Sequence, residues 1–185
     1  MLSYFHINHA ARVLAGGGVV AYPTEGVYGI GCLPFDRTAA DRILAMKNRS
    51  WRKGLLLIAA DVAQIEQLII LPQGRLGSEI LSSWPGAVTW VLEARLPTPK
   101  WISGGRNTLA VRVTDHPVAS MLCRRVASPL VSTSANRSDR PPLSRMVQVR
   151  RVLGSKLDYV VPGALGSSVS PTIIRDGQTG RILRA

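Results

Sequence analysis

Three segments of this chain carry residues whose types and spacing could do chemistry. Lys47, Arg49 and Lys53 put three cations within seven residues. Arg112 interrupts the apolar run LAVRV, and Ser132, Thr133, Ser134 and Asn136 crowd into STSAN. Each segment lies at or just beyond the end of an apolar run, the edge at which α/β folds expose their ligand sites. Converging cations and hydroxyls with few acidic partners predict a pocket for a triphosphate and a small carboxylate. The chemistry implied is that of a nucleotide-using enzyme.

Each segment also has a plainer explanation. A cation near a helix C-terminus offsets the helix dipole; this accounts for Lys47 but not for three cations together, so phosphate binding explains the cluster better. Arginine grips phosphate or carboxylate with a planar fork, whereas lysine acts as a point charge. Arg112, on what reads as an interior strand, must either pair with a buried acid or face a ligand. The sequence offers no obvious acid, which favours a ligand carboxylate. Ser, Thr and Asn are common turn and cap residues, yet at the end of a strand such donors form a fair phosphate or amino-acid cradle. A serine nucleophile is disfavoured, because no GxSxG elbow is present. Also missing are GxxxxGK[ST], a GxGxxG between strand and helix, HExxH and CxxC. With only 11 acidic residues, a carboxylate-rich two-metal site is improbable. What remains is electrostatic catalysis.

The elements that must position these groups follow from periodicity. Ile7, Ala10, Ala11 and Leu14 mark a helix over 6–15, which Gly16-Gly17-Gly18 ends as a C-cap rather than as a phosphate loop. Residues 19–22 form a short buried strand, and 23–36 (PTEGVYGIGCLPFD) a structured loop. Asp36 or Thr38 caps a helix running to about Lys47, and KNRSWRK follows as a basic loop. Residues 54–60 read as a central strand buried on both faces, and 61–64 as a capping box for a further helix. A helix spans 75–84. Residues 88–93 and 109–113 are strands separated by a long loop. Asp115 caps the next helix with Pro117 in its first turn, so His116 needs no chemical role. Residues 130–133 form a strand and 145–153 a short helix. Strands at 159–161, 172–174 and 181–183 follow, the last two joined at Asp176-Gly177. The pattern predicts an α/β fold: residues 1–185 as a single domain, a twisted mixed sheet flanked by helices.

Composition bounds the rest. Of 185 residues, 46% are hydrophobic, enough for one core. No apolar run approaches the ~20 residues that span a bilayer, and the N-terminus does not read as a secretory signal. Cys32 and Cys123 lack metal-type spacing, which fits a reduced, cytoplasmic setting. The formal charge of +12 favours anionic partners such as nucleotides, RNA or membrane headgroups. Only four of the 23 basic residues are lysines, so an arginine-rich composition explains part of that charge. At 5% aromatic residues, base stacking on single strands is not favoured.

Taken in order, these segments resemble the YrdC/TsaC family of threonylcarbamoyl-adenylate synthases. YPTEGVYGIG is similar to that family's opening loop, KNRSWRKGLLLI to its KxR element, and SSWPGAVTWVL, LAVRVTDHP and PLVSTSANRSDRPP to its next three signatures. VVPG and SPTIIRDGQTGRILR fit the end of its short form. The resemblance covers nearly the whole chain as one YrdC-like catalytic domain. It implies a reaction in which threonine and bicarbonate form a carbamate that attacks the α-phosphorus of ATP. Pyrophosphate leaves, and threonylcarbamoyl-AMP feeds the modification of an adenosine beside the tRNA anticodon, completed by partner proteins. By the same resemblance Lys47, Arg49 and Lys53 are the catalytic cations. ATP lies along Arg49, Lys53, Thr108, Ser132, Ser134 and Asn136. Threonine lies against Arg112, with Thr24, Thr133 and Thr172 nearby. Mg2+ rides on the phosphates, with no metal held by the protein. Gly26 stands where the opening motif often has threonine, Ala87 where WPGP has proline, and Asp139 where the STSAN tail usually has glycine. The rival reading is a non-enzymatic module that binds tRNA or double-stranded RNA through its surface arginines. A carbamoyl-phosphate-using or hydrolytic relative is a third.

Overall fold

The structure is a computed structural model that describes residues 4–137, 140–166 and 172–184. Helix α1 (Tyr4–Ala15) buries Ile7, Ala10, Ala11 and Leu14, the stripe its spacing predicts, and ends at the glycine triplet, where Gly17 takes φ 80. Strand β1 (Val20–Pro23) turns back into β2 (Tyr28–Gly31), which overturns the reading of 23–36 as wholly loop. The glycines that made it read as loop have a packing cause. A Cβ on Gly31 would collide with the Val131 carbonyl, and one on Gly29 would crowd Thr24 and Ser132.

Helix α2 (Arg37–Lys47) starts under Asp36, whose carboxylate accepts from Ala39 N. Its end is closed by Asn48 at φ 51. A 3-10 turn (Trp51–Lys53) leads into β3 (Leu56–Ala59), buried as expected. The capping box at 61–64 heads only a 3-10 turn, Val62–Gln64, not a full helix. Gln64 turns inward instead, taking Ala60 N–H and donating to the Cys123 carbonyl. Then come β4 (Ile69–Ile70), α3 (Gly74–Ser82) and β5 (Val88–Ala94). The long loop that follows holds a short helix, α4 (Lys100–Ser103), before β6 (Thr108–Val113).

Helix α5 (Pro117–Arg125) opens with proline at its first position, but its N-cap is His116 with no side-chain hydrogen bond, so Asp115 does not cap it. Strand β7 (Leu130–Ser134), α6 (Met146–Leu153), β8 (Tyr159–Val160), β9 (Ile173–Asp176) and β10 (Ile182–Arg184) complete the chain. The expected strand at 172–174 thus begins one residue later and runs two further.

Among the described residues the ten strands form one mixed sheet, ordered β10-β9-β5-β6-β3-β7-β2-β1-β8, with β4 on the free length of β5. The pairs β1/β8, β3/β6 and β5/β9 are parallel. Side chains alternate between the two faces of a strand, and the core divides accordingly. One face carries Ala21, Ile30, Leu57, Trp90, Val111 and Val131 against α2, α3, α4 and α6. The other carries Val20, Tyr22, Ile58 and Leu130 against α1 and α5. Those two helices cover only one end of that face. The remainder, formed by β5, β6, β9 and the near ends of β3 and β7, is left open.

Candidate active site

The open part of the sheet face is the floor of a cavity of about 690 Å³, within the range of small-molecule sites. All eleven residues singled out in the sequence line it. Thr108 and Arg112 rise from β6, and Ser132, Thr133 and Ser134 from β7, with Asn136 just beyond. Lys47, Arg49 and Lys53 come from the end of α2 and the turn after it, Thr24 from the β1–β2 hairpin and Thr172 from the entry to β9. Two cations that sequence reading passed over join them, Arg106 before β6 and Arg184 at the end of β10. The lining therefore holds six cations and, among the described residues, no Asp or Glu.

Of the four cations in the basic segment, the three that line the cavity do different work. Lys47 is buried, and its ammonium donates to the carbonyls of Ser134 (2.5 Å) and Asn136 (2.9 Å) and to Asn136 Oδ1 (2.7 Å). Ser134 Oγ donates to that same Oδ1 at 2.7 Å, and Asn136 Nδ2 to the Arg140 carbonyl. All three N–H donors of Lys47 are engaged, so this residue shapes the STSAN turn. Burial, then the charge of Arg49, draw Lys47 down to about 8. Arg49 donates through Nη2 to the Gly54 carbonyl at 3.0 Å, while its buried Nε has no partner. Burial, then Arg184, lower its pKa. Lys53 is exposed at the mouth. Arg106 donates to the carbonyls of Arg52 (3.1 Å) and Lys53 (3.2 Å) and so braces the turn that presents it.

Arg112 corrects the sequence reading. It has a buried acidic partner: Nη2 lies 3.1 Å from Oε2 of Glu25, both side chains less than a tenth exposed. Thr114 Oγ1 donates to Glu25 Oε1 at 2.5 Å, and His116 N donates to Thr114 Oγ1 at 3.2 Å. Of the two alternatives posed by the strand context, the buried acid is the one found, and Arg112 also lines the cavity. Its Nε is buried without a partner. A charge removed from water needs compensation, and Glu25 supplies it while one edge of the guanidinium remains unspent. Thr24 Oγ1 donates to the Val27 carbonyl at 2.7 Å and closes the hairpin beneath Gly26, which lines the cavity as well.

His116 lies off the cavity lining, its Nε2 3.2 Å from the Ala164 carbonyl and its pKa lowered by burial. Cys32 and Cys123 are buried thiols pushed up to about 12, chiefly by burial. Neither contributes a nucleophile to the cavity. Ser170, Pro171 and Asp139 lie outside the described residues. Among the described residues no three His, Cys, Asp or Glu side chains gather as a metal site, and no helix is long and apolar enough to cross a membrane.

Comparison with known proteins supplies relatives for this geometry. Residues 12–185 match the Sua5/YciO/YrdC family model, described as telomere recombination. A threonylcarbamoyl-AMP synthase of Nitrosococcus oceani is 51% identical over 180 residues, 97% of each chain. One of Coxiella burnetii is 45% identical over 178 residues, 96% of each. Among solved structures, P. abyssi Sua5 complexed with L-threonine superposes with a TM-score of 0.86 at 30% identity. It covers 95% of this chain, which spans about half (52%) of the Sua5 length. E. coli YciO superposes with a TM-score of 0.80 at 25% identity, covering 92% of this chain and 82% of its own.

Proposed function

From a chain that belongs to the Sua5/YciO/YrdC family, we propose an enzyme that makes threonylcarbamoyl-AMP and pyrophosphate from L-threonine, bicarbonate and ATP. The observation that carries this reading is the cavity itself, where, among the described residues, six cations and a row of hydroxyls meet with no acid in the lining. The floor suits one triphosphate and one amino acid, and the attacking group is the substrate's own carbamate, so no protein nucleophile is needed.

The residues then act by alignment and charge compensation. Arg49, Lys53, Arg106 and Arg184 face the triphosphate and take up the negative charge that grows on the departing pyrophosphate. Ser132, Ser134, Asn136 and Thr108 orient the nucleotide. Lys47 acts through the STSAN turn it holds. Arg112 receives the threonine carboxylate, with Thr24, Thr133 and Thr172 around the amino acid, and the carbamate oxygen is thereby pointed at the α-phosphorus. Mg2+ would enter as the counter-ion of ATP, carried on its phosphates. The product passes to partner proteins of tRNA modification, and residues 1–185 work as one catalytic domain. The remaining surface charge leaves room for a secondary contact with tRNA.

Pyrophosphate release from ATP by the purified protein tests the reading. It should require both threonine and bicarbonate. Release without threonine would instead favour a hydrolytic relative, and none at all alongside salt-sensitive RNA binding would favour the RNA-binding module.

A further inference from the structure

Two buried polar atoms in the cavity floor lack partners, and they belong to facing residues. Thr89 on β5 is fully buried and its Oγ1 has no hydrogen bond; Arg112 on β6 has an equally unmet Nε. In the antiparallel β5/β6 pair Trp90 stands opposite Val111, so the next rung sets Thr89 opposite Arg112. Facing residues of adjacent strands hold their Cβ atoms about 4.5–5.5 Å apart on one side of the sheet, within reach of an arginine side chain. The rest of that row is apolar: Ile174 faces Thr89 from β9, and Ile58 and Leu130 continue it beyond Arg112. Val91 and Ala110, the next pair on this side, are apolar too. Within the row, Arg112 is the one polar neighbour that Thr89 has.

The guanidinium is held from the other side. Glu25 reaches it from the β1–β2 hairpin, which lies beyond β3 and β7 on the side away from β5. Leaving two buried polar atoms unmet costs free energy, and native folds retain such atoms where a ligand or a movement uses them. Resting on the reading that Arg112 takes the amino-acid carboxylate, we propose that Thr89 is a positioning residue for Arg112. When the carboxylate enters, the guanidinium turns toward β5 and its Nε–H is taken by the Thr89 hydroxyl. Glu25 on one side and Thr89 on the other then fix the fork in the plane the carboxylate needs. On this reading Thr89 acts through Arg112, so its influence falls on threonine and not on ATP.

Thr89→Val keeps the shape and β-branching and removes only the hydroxyl; Thr89→Ser keeps the hydroxyl. Steady-state pyrophosphate release should show the threonine KM of Thr89→Val raised roughly 10-fold or more, as for loss of a hydrogen bond to a charged group. The ATP KM and the kcat at saturating threonine should stay within about threefold. Thr89→Ser should recover most of the threonine KM, and Thr89→Val without ligands should melt no lower than wild type. A threonine KM unchanged in Thr89→Val, with wild type threonine-dependent, overturns the inference and leaves the proposed reaction standing. Serine and valine variants that weaken alike, both with a lowered melting temperature, also overturn it, since the role would then be packing. Threonine-independent turnover by wild type would overturn the proposed reaction, and this inference with it.

Discussion

Beneath α1 and α5, the sheet presents Val20, Tyr22, Ile58 and Leu130; two residues further along β3 and β7 the same face turns to Leu56 and Ser132, and across the sheet from Ile58 it turns to Arg112 and Thr89. The strands are continuous and the pleat is unbroken, but one half is covered by helices and the other is not. In the covered half the side chains are apolar and close-packed. In the open half lie the hydroxyls, the cations and three of the buried atoms without partners, on Arg49, Thr89 and Arg112. The contrast separates stability from function within a single face: the covered end holds the fold together, and the open end keeps polar groups unspent for a ligand.

Substitutions at the two ends should therefore fail in different ways. Arg112→Ala should cost most. The threonine kcat/KM should fall ~10²–10³-fold, as when one donor to a reacting charge is lost, with ATP affinity nearly unchanged. Stability should also drop by about 3–5 kcal/mol, because Glu25 is left buried and unpaired. The double variant Glu25→Gln/Arg112→Met should recover most of that stability in a thermal melt and none of the threonine use. Recovery of both would place the carboxylate site elsewhere.

At the covered end, Leu122→Ala should lose about 2–5 kcal/mol in denaturant unfolding while the KM values for threonine and ATP hold. A shift in either KM would mean that the two halves are coupled. Lys53→Ala, at the exposed mouth, should raise the ATP KM about tenfold at low salt and less as ionic strength grows, without touching threonine dependence. An ATP KM indifferent to both the substitution and salt would remove Lys53 from the phosphate site.

The smallest effect concerns Lys47, drawn down to about 8 from an ordinary 10.5 by burial. As pH rises through about 8 the ammonium loses a proton and one of its three grips on the STSAN turn, so kcat/KM for ATP should decline severalfold. Stability should move the opposite way. Between about 8 and 10.5 the unfolded chain binds more protons at this residue than the native one, so the Lys47 contribution rises with pH across that window. The test is the difference between wild type and Lys47→Met in the two profiles, since the substitution should erase both slopes.

Much of this was legible before any coordinates. Helix α1 follows from one stripe of apolar residues, β3 from one uninterrupted apolar run, and α2 from an Asp36 cap with periodic Ile43, Leu44 and Met46. These are properties of neighbours in the chain, which is why spacing reveals them. Strand β2 was hidden because its glycines answer to Val131 and Ser132, residues far from them in sequence. Asp115 carried a cap's identity without a cap's geometry, and the helix took His116 instead.

Composition and local pattern point to the class of chemistry: a surplus of cations, hydroxyls at strand ends and few acids, which together suit charge compensation. How each cation is employed follows instead from the packing of distant strands. Lys47 is spent on a turn 87 residues away, and Arg112 is matched by an acid from a hairpin that lies beyond β3 and β7 in the sheet. Arg106 and Arg184 reach the cavity from segments whose local pattern marks them as surface. Thr89 matters because a rung of the sheet sets it beside Arg112. A side chain's partners depend on which strands become neighbours, and strand order is settled by long-range packing that no local period records.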